Sequence, residues 1–358
     1  MCESTAVRAV ALFGPHARED HLRPFAAAGV NIFSGNELDP TDQPDAALVF
    51  GGDGTLHRHL PGLALKGIPT LVVPLGSAND FANSIGMGSV ATAVEAWKRY
   101  CSLGGNLHSV DLGTIQPVEQ TNDGALAGVN TEAPPAPWQG ESLESLHFVP
   151  SGPRRDLPQR GSRIMQSQLR RRSEAEREIE QTVFFSCIAG TGLDAAVNRL
   201  TLKQSRWLRG HGGYVLALLE VLGGFRPPMI TVEVEFGGRW QQRVHEPGFL
   251  VAAGNGPQYG HGMRLTHEAS MEDGLLDICF VRKLNKLRLL RLFGSVYRGA
   301  HIGLAEVEYF KTPRVRITTE PGGEVFADGE YVCRTPVEMG VRPRALRLIT
   351  PVGHNPQA

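Results

Sequence analysis

Ala46-Ala-Leu-Val-Phe50 runs directly into Gly51-Gly-Asp-Gly-Thr55, and Leu56, Leu60 and Leu63 follow at helical spacing. An apolar run, a glycine-rich turn and a single apolar stripe read as strand, loop and amphipathic helix. Val7–Phe13 and Thr70–Leu75 are apolar runs of the same kind. Near-continuous apolar strands separated by helical patterns belong to a parallel sheet covered on both faces, with right-handed crossovers between them. The chain up to about residue 115 is therefore expected to form an open α/β domain.

In such a sheet the loops at the carboxyl ends of the strands are where ligands bind. Gly51, Gly52 and Gly54 carry no Cβ, so backbone N–H groups can approach a phosphate closely, and the helix that follows adds a positive partial charge. The pattern is neither a Walker loop nor GxGxxG. A second polar loop, Gly76-Ser-Ala-Asn-Asp-Phe-Ala82, stands just after the next strand. Two such loops on one sheet edge make a cleft in which Asp53 and Asp80 face the same phosphates, directly or through Mg²⁺. Asn79 and Asp80 are also good helix N-cap residues, a role compatible with ligand binding.

The composition changes from about residue 116 to residue 181. Ala133-Pro-Pro-Ala-Pro137, Ser151-Gly-Pro-Arg-Arg155 and Arg170-Arg-Arg172 carry no apolar periodicity, and Glu174, Glu176, Glu178 and Glu180 follow. This is the signature of a low-order insertion with a charged helix near its end. After Thr182 the pattern is β-rich: Val183–Ile188, Met229–Phe236, Gly248–Ala253, Leu276–Val281, Arg314–Thr318 and Ala345–Ile349 read as strands, several alternating with period two. Helical segments near residues 202–222 and 284–297 interrupt them. The expected architecture is α/β plus β. An N-terminal open parallel α/β nucleotide-binding domain (1–115) and an insertion (116–181) precede a C-terminal antiparallel β-sandwich-like domain (182–358), whose last residues return to the first domain. The active site is expected in the cleft between the two domains.

The 358 residues are 41% hydrophobic and 20% charged, with a formal net charge of −1. That balance suits a folded globular chain and excludes a basic nucleic-acid coat, so no nucleic-acid partner is expected. No apolar stretch is long enough for a transmembrane helix, and the start of the chain lacks a signal-peptide core. Cys2, Cys101, Cys187, Cys279 and Cys333 are scattered, without CxxC spacing, and read as free thiols in a reducing compartment.

Gly51–Thr55 followed by Gly76–Ala82 closely resembles the diacylglycerol kinase catalytic family, nearest to its bacterial lipid kinases and more distantly to sphingosine and ceramide kinases. The resemblance continues through Val110-Asp-Leu-Gly113, Gly190–Ala195, Gly254-Asn-Gly256, Met263–Thr266, Asp273–Asp277 and Asp328-Gly-Glu330. It implies an ATP- and Mg²⁺-dependent kinase of a lipid alcohol such as diacylglycerol. Gly51, Gly52, Asp53, Gly54, Thr55, Gly76, Ser77 and Asn79 would then form the nucleotide site, with Ser77 where relatives carry Thr. Asp80 and Asp111 would organise Mg²⁺, with Asp53 and Asp80 counted among the catalytic groups and Glu330 as general base on the lipid hydroxyl. Ser270, Asp273 and Leu275 would match a second, structural Mg²⁺ loop. Asp328-Gly329 on its own reads as a hairpin turn. The chain departs from the family at Phe13-Gly-Pro15 and Gly260-His-Gly262.

Phosphoryl transfer needs charge neutralisation and alignment, and a carboxylate opposite the phosphate loop supplies a base. Two readings remain beside it: a soluble NAD kinase-like enzyme, which shares the first loop but lacks the second, and a non-catalytic nucleotide or lipid sensor. A lipid kinase must also reach a bilayer. Thr201–Arg209, with Trp207, and Arg282–Phe293 are cationic amphipathic stretches suited to weak, reversible binding of an anionic membrane surface. They equally suit ordinary helices with a basic outer face. The expected location is cytoplasmic and peripherally membrane-associated, and a homodimer is compatible with this reading.

Overall fold

The computed structural model describes residues 7–26, 30–35, 38, 43–118, 182–203 and 213–351. The charged and proline-rich stretches of the expected insertion, and Gln204–Arg209 with Trp207, lie outside the described residues. Strands β1 (Val7–Phe13), β2 (Val30–Gly35), β3 (Ala46–Gly51) and β4 (Thr70–Pro74) form a parallel sheet in the order β2-β1-β3-β4. Every residue of β3 is buried, as a strand covered on both faces requires. Helices α1 (Asp53–Lys66) and α3 (Val90–Leu103), the short α2 (Asp80–Ser84) and a 3-10 helix (Glu19–Phe25) complete this part. Leu56, Leu60 and Leu63 are the buried face of α1. Ser89 caps α3 by accepting the N–H of Thr92, and buried Trp97 donates its indole N–H to the Phe25 carbonyl at 2.9 Å.

Beyond β5 (Leu107–Pro117) the structure is mainly antiparallel. β6 (Val183–Phe185), β7 (Ile188–Gly192), β8 (Met229–Phe236), β9 (Arg239–Gly254), β10 (Leu276–Arg282), β11 (Val307–Thr312), β12 (Arg314–Glu320), β13 (Glu324–Ala327), β14 (Glu330–Arg334) and β15 (Val337–Ile349) build two layers. The 16-residue β9 belongs to both: its first half pairs with β8 and its second half with β7 and β10. Phe185, Ile230, Val232, Val251, Ile278, Phe280, Ile317, Val337 and Met339 fill the space between the layers. β15 also pairs with β5 along its length and meets β4 in parallel at Leu348–Thr70, so the last strand stitches the second domain to the first sheet.

Helices α4 (Leu193–Lys203), α5 (Gly213–Gly224) and α6 (Lys286–Val296) lie on the outer side of β9 and β10. Of the helical stretch expected near 202–222, the described part is the end of α4 and most of α5. Among the described residues, Cys101, Cys187, Cys279 and Cys333 are free thiols, and no helix is long and apolar enough to cross a membrane.

Candidate active site

The two glycine loops touch backbone to backbone. A Cβ on Gly76 would stand 2.5 Å from the Cα of Gly52, a distance no side chain tolerates, so both positions need glycine. Asn79 holds the second loop in shape. It sits in the left-handed region (φ 53°, ψ 41°), which Asn adopts more readily than most residues. Its Oδ1 accepts the Gly76 N–H and its Nδ2 donates to the Gly76 carbonyl, both at 2.8 Å. Ser77 is exposed at the tip. Thr55 is buried at the other side, its side chain filling the space that Cβ atoms on Gly14 and Gly51 would occupy.

Asp53 opens α1, and its carboxylate accepts the N–H groups of Asp80 (3.1 Å) and Phe81 (3.0 Å) at the start of α2. The first loop thereby holds the second. Burial pushes the Asp53 carboxyl up to about 6, the charges of Asp80 and Asp328 push the same way, and the Phe81 amide opposes them. Asp80 is buried, and its two oxygens accept the N–H groups of His261 (3.0 Å) and Gly262 (2.9 Å) from the second domain. Those amides converge because Gly260, His261 and Gly262 all have positive φ (60°, 67° and 84°). Asp111 stands elsewhere. Its oxygens take the N–H groups of Gly274 and Arg344, each at 2.8 Å, tying β5 to the 270–275 loop and to β15. No hydrogen bond among the described residues joins Asp111 to Asp53 or Asp80.

Asp328 and Gly329 both have positive φ (49° and 87°) and form the two-residue turn between β13 and β14, the geometry that Asp-Gly favours. The hairpin and the functional motif are the same object. The Asp328 carboxylate is fully buried. It accepts from the N–H of Ser186 (2.7 Å), Cys187 (2.9 Å) and Ile188 (3.1 Å), from the Ser186 hydroxyl (3.0 Å), and faces His57 Nδ1 at 3.4 Å. Burial alone would raise its pKa, but the His57 contact and these amides outweigh burial and hold it below the usual carboxylate range. Glu330, two residues further on, is exposed, and its Oε1 lies 3.0 Å from the Cβ position of Gly54. The catalytic carboxylate expected from the sequence thus faces the amino end of α1, across the domain boundary.

His57 and the 260–262 amides went unassigned in the sequence. His57 is one helical turn beyond Asp53, on the same face, and that spacing was the available signal. The amides had none, since main-chain donors are not written in side-chain identity.

A small apolar cavity of about 50 Å³, partly open to solvent, lies beside this cleft. Leu193, Leu218, Leu222, Leu250, Leu289 and Phe293 are among its lining residues, with Tyr259 and Met263. One polar knot interrupts the apolar wall, where the Tyr259 hydroxyl donates to Asp194 at 2.5 Å and Asn198 Nδ2 donates to both.

Among the described residues, no group of three or more His, Cys, Asp or Glu side chains is arranged to hold a metal ion. Mg²⁺ in kinases typically rests on one or two carboxylates and the substrate's phosphates, and the crowded pair Asp53 and Asp80 fits that smaller demand. The 270–275 loop does not fit a second cation. Lys311 Nζ sits in it, 2.9 Å from Asp273 Oδ2, 2.9 Å from the Glu268 carbonyl and 3.2 Å from Asp277 Oδ2. Asp273 Oδ1 accepts the Leu275 N–H, and Ser270 Oγ accepts the Glu272 N–H. The positive charge this loop needs comes from the chain itself.

Comparison with known proteins agrees with the fold. Residues 35–115 match the diacylglycerol kinase catalytic domain, and residues 187–350 match the YegS C-terminal NAD kinase beta sandwich-like domain. A diacylglycerol kinase of Mycobacterium tuberculosis H37Rv is 26% identical over 313 residues, covering 86% of this chain and 77% of its own length. A diacylglycerol kinase of Bacillus subtilis 168 is 24% identical over 310 residues, covering 86% and 78%. The crystal structure of a putative diacylglycerol kinase from Bacillus anthracis Sterne superposes with a TM-score of 0.61 at 17% identity, covering 98% of this chain and 97% of that one, which is a likeness of fold. Its two halves thus match, in order, a diacylglycerol kinase catalytic domain and a YegS-type C-terminal domain, and its relatives are named diacylglycerol kinases and YegS-like lipid kinases.

Proposed function

We propose that the chain is an ATP-dependent lipid kinase that phosphorylates the hydroxyl of a lipid alcohol such as diacylglycerol. One observation carries the reading. The turn from Tyr259 to Met263 caps Asp80 with two of its amides and lines the apolar cavity with its two ends. A site for phosphate and a site for an acyl chain therefore share a wall.

In this reading the first amides of α1, which have no partner within the helix, receive the nucleotide phosphates, and the glycine contacts keep them accessible. The Ser77 hydroxyl adds a donor from the second loop. The acyl chain lies in the cavity, which excludes water from the reacting end. Glu330 orients the lipid hydroxyl and takes its proton as the oxygen attacks the terminal phosphorus and the bond to the departing ADP breaks. Asp328, fixed by the Ser186–Ile188 amides and by His57, positions Glu330 rather than touching substrate. Asp53 and Asp80, together with the phosphates, would hold Mg²⁺, which would supply charge neutralisation for the transferring group.

The test is incubation of the purified protein with γ-labelled ATP, Mg²⁺ and a total lipid extract. The expected result is a labelled lipid that comigrates with a phosphorylated alcohol. Mg-ATP binding by thermal shift without labelling of any lipid would overturn the reading in favour of a sensor.

A further inference from the structure

His261 is the residue of its turn that the backbone does not ask for. Gly260, His261 and Gly262 run consecutively through the left-handed region, at φ 60°, 67° and 84°. Glycine enters that region without steric cost, whereas a side chain bears strain there. At Gly260 glycine is also needed for space, since a Cβ would stand 2.5 Å from the Met263 methyl group. Between the two glycines the chain carries an imidazole. It is exposed, and among the described residues no hydrogen bond, ion pair or ring contact holds it. Backbone strain with no packing gain points to function rather than to stability.

The place of His261 in the cleft says what it meets. Its N–H donates to Asp80 Oδ2 at 3.0 Å, so the side chain starts beside a carboxylate of the phosphate site. Tyr259 and Met263, two residues to either side, line the apolar cavity. They also close the turn, each N–H donating to the other's carbonyl at 2.9 Å. The turn therefore has its ends in the cavity wall and its tip at Asp80. Tyr297 flanks the same junction. Its ring packs edge-on against Phe293 of the cavity wall, with centroids 5.7 Å apart. Burial raises the Tyr297 phenol above its usual range, and the charge of Asp80 adds to this. A lipid alcohol with its chain in the cavity and its hydroxyl at the phosphates lays the atoms that join them across the tip of the turn.

We propose that His261 is a specificity-determining residue that hydrogen-bonds the ester linkage of the lipid alcohol, and so selects an acylated glycerol over an alcohol of equal chain length that lacks the carbonyl. This role rests on the lipid-kinase reading and narrows its substrate. A neutral imidazole carries one N–H donor, which the ester carbonyl accepts. An ether oxygen is a much weaker acceptor, so the contact separates the two lipid classes while the acyl site treats them alike.

The experiment measures kcat and KM for wild type, His261→Gly and His261→Asn on two detergent-dispersed substrates of equal chain length, a diacylglycerol and a dialkylglycerol, with melting curves beside them. Wild type is expected to favour the ester by about three- to ten-fold in kcat/KM, the size of one hydrogen bond. In His261→Gly the ratio of ester to ether activity is expected to fall by that factor, with a Tm equal to or above that of wild type because the strain is relieved. His261→Asn tolerates the left-handed region and keeps a side-chain donor, and is expected to recover part of the ratio. Equal use of both lipids by wild type, an unchanged ratio in His261→Gly, or an equal loss on both lipids with a lowered Tm would each overturn the role of His261 and leave the kinase reading standing. Phosphorylation of neither lipid by wild type that binds Mg-ATP would overturn the kinase reading and the role of His261 with it.

Discussion

Glu330 and Gly54 face one another across the domain boundary, with Glu330 Oε1 3.0 Å from the point where a Cβ on Gly54 would stand. One residue belongs to the β13–β14 hairpin and the other to the first turn of α1. Their approach places a carboxylate against the backbone amides that would hold the phosphates. Glu330→Gln is expected to lower kcat by about 10²–10⁴-fold, the usual contribution of a general base, with little change in Tm because the side chain is exposed. Gly54→Ala inserts a methyl group into the gap. It is expected to cost roughly ten- to a hundred-fold in kcat through misalignment, again with a near-native melting curve, since the flexible end of Glu330 can swing away. Steady-state kinetics beside thermal denaturation checks both.

Asp53 gives the fold a pH signature. Its carboxyl is raised to about 6 from a reference of 3.8, so the folded state holds the proton more tightly than the unfolded state does. The sign follows from linkage: the associated stability is intact below about pH 4 and is lost as pH rises toward and through 6, by at most about 3 kcal/mol. Asp53→Asn removes this titration. Its Tm relative to wild type is expected to improve between pH 4 and 7, although the variant loses activity. Thermal melts of both proteins across that range measure it, and parallel pH profiles would contradict the burial of this group.

Asp328 works in the opposite direction. Its pKa is held below the usual range, so its contribution is complete near neutral pH and is lost as pH falls below about 4. Asp328→Asn leaves amides of Ser186, Cys187 and Ile188 without a proper acceptor and is expected to destabilise the fold by about 2–4 kcal/mol. It should also lower kcat through Glu330. His57→Ala keeps the amide contacts and should cost less stability, while lowering kcat measurably. Urea titrations with matched kinetics separate the two residues.

Lys311 supplies the cation of the 270–275 loop. Among the described residues, Lys311→Met leaves the fully buried Asp277 carboxylate with the Tyr309 hydroxyl alone, which donates at 2.7 Å. It is expected to destabilise the fold by about 1–3 kcal/mol. Wild-type Tm, in the absence of nucleotide, is expected to be the same in EDTA and in millimolar Mg²⁺. A large rise of wild-type Tm with Mg²⁺ alone would mean that this loop takes a metal ion after all.

Much of the fold was legible because its signals are local. The apolar runs at Val7–Phe13 and Ala46–Phe50 had only one way to be buried, and the strands after Thr182 alternate with period two. The pairing of β15 with both β5 and β4 was not legible in detail, because register across more than 200 residues is set by packing of the assembled sheets rather than by any short segment. The shape of the candidate site was legible where it rests on side-chain identity and glycine spacing, as in the approach of Gly52 to Gly76 and of Glu330 to Gly54. It was opaque where the backbone acts. Nothing in Gly260-His-Gly262 as a string says that its amides will grip Asp80, and nothing in Lys311 says that its ammonium will fill a loop 38 residues earlier at Asp273. Asp111, read as a phosphate-side carboxylate, carries two main-chain contacts that only the folded chain brings to it.

The central claim is that one cleft joins a phosphate loop, a carboxylate base and an acyl-chain cavity. The most direct measurement is a single assay in which wild type and Glu330→Gln receive γ-labelled ATP with a defined diacylglycerol and NAD⁺ together. The account predicts label in the lipid for wild type and its near-complete loss in Glu330→Gln. Label in a dinucleotide, or equal lipid labelling by the two proteins, would contradict it.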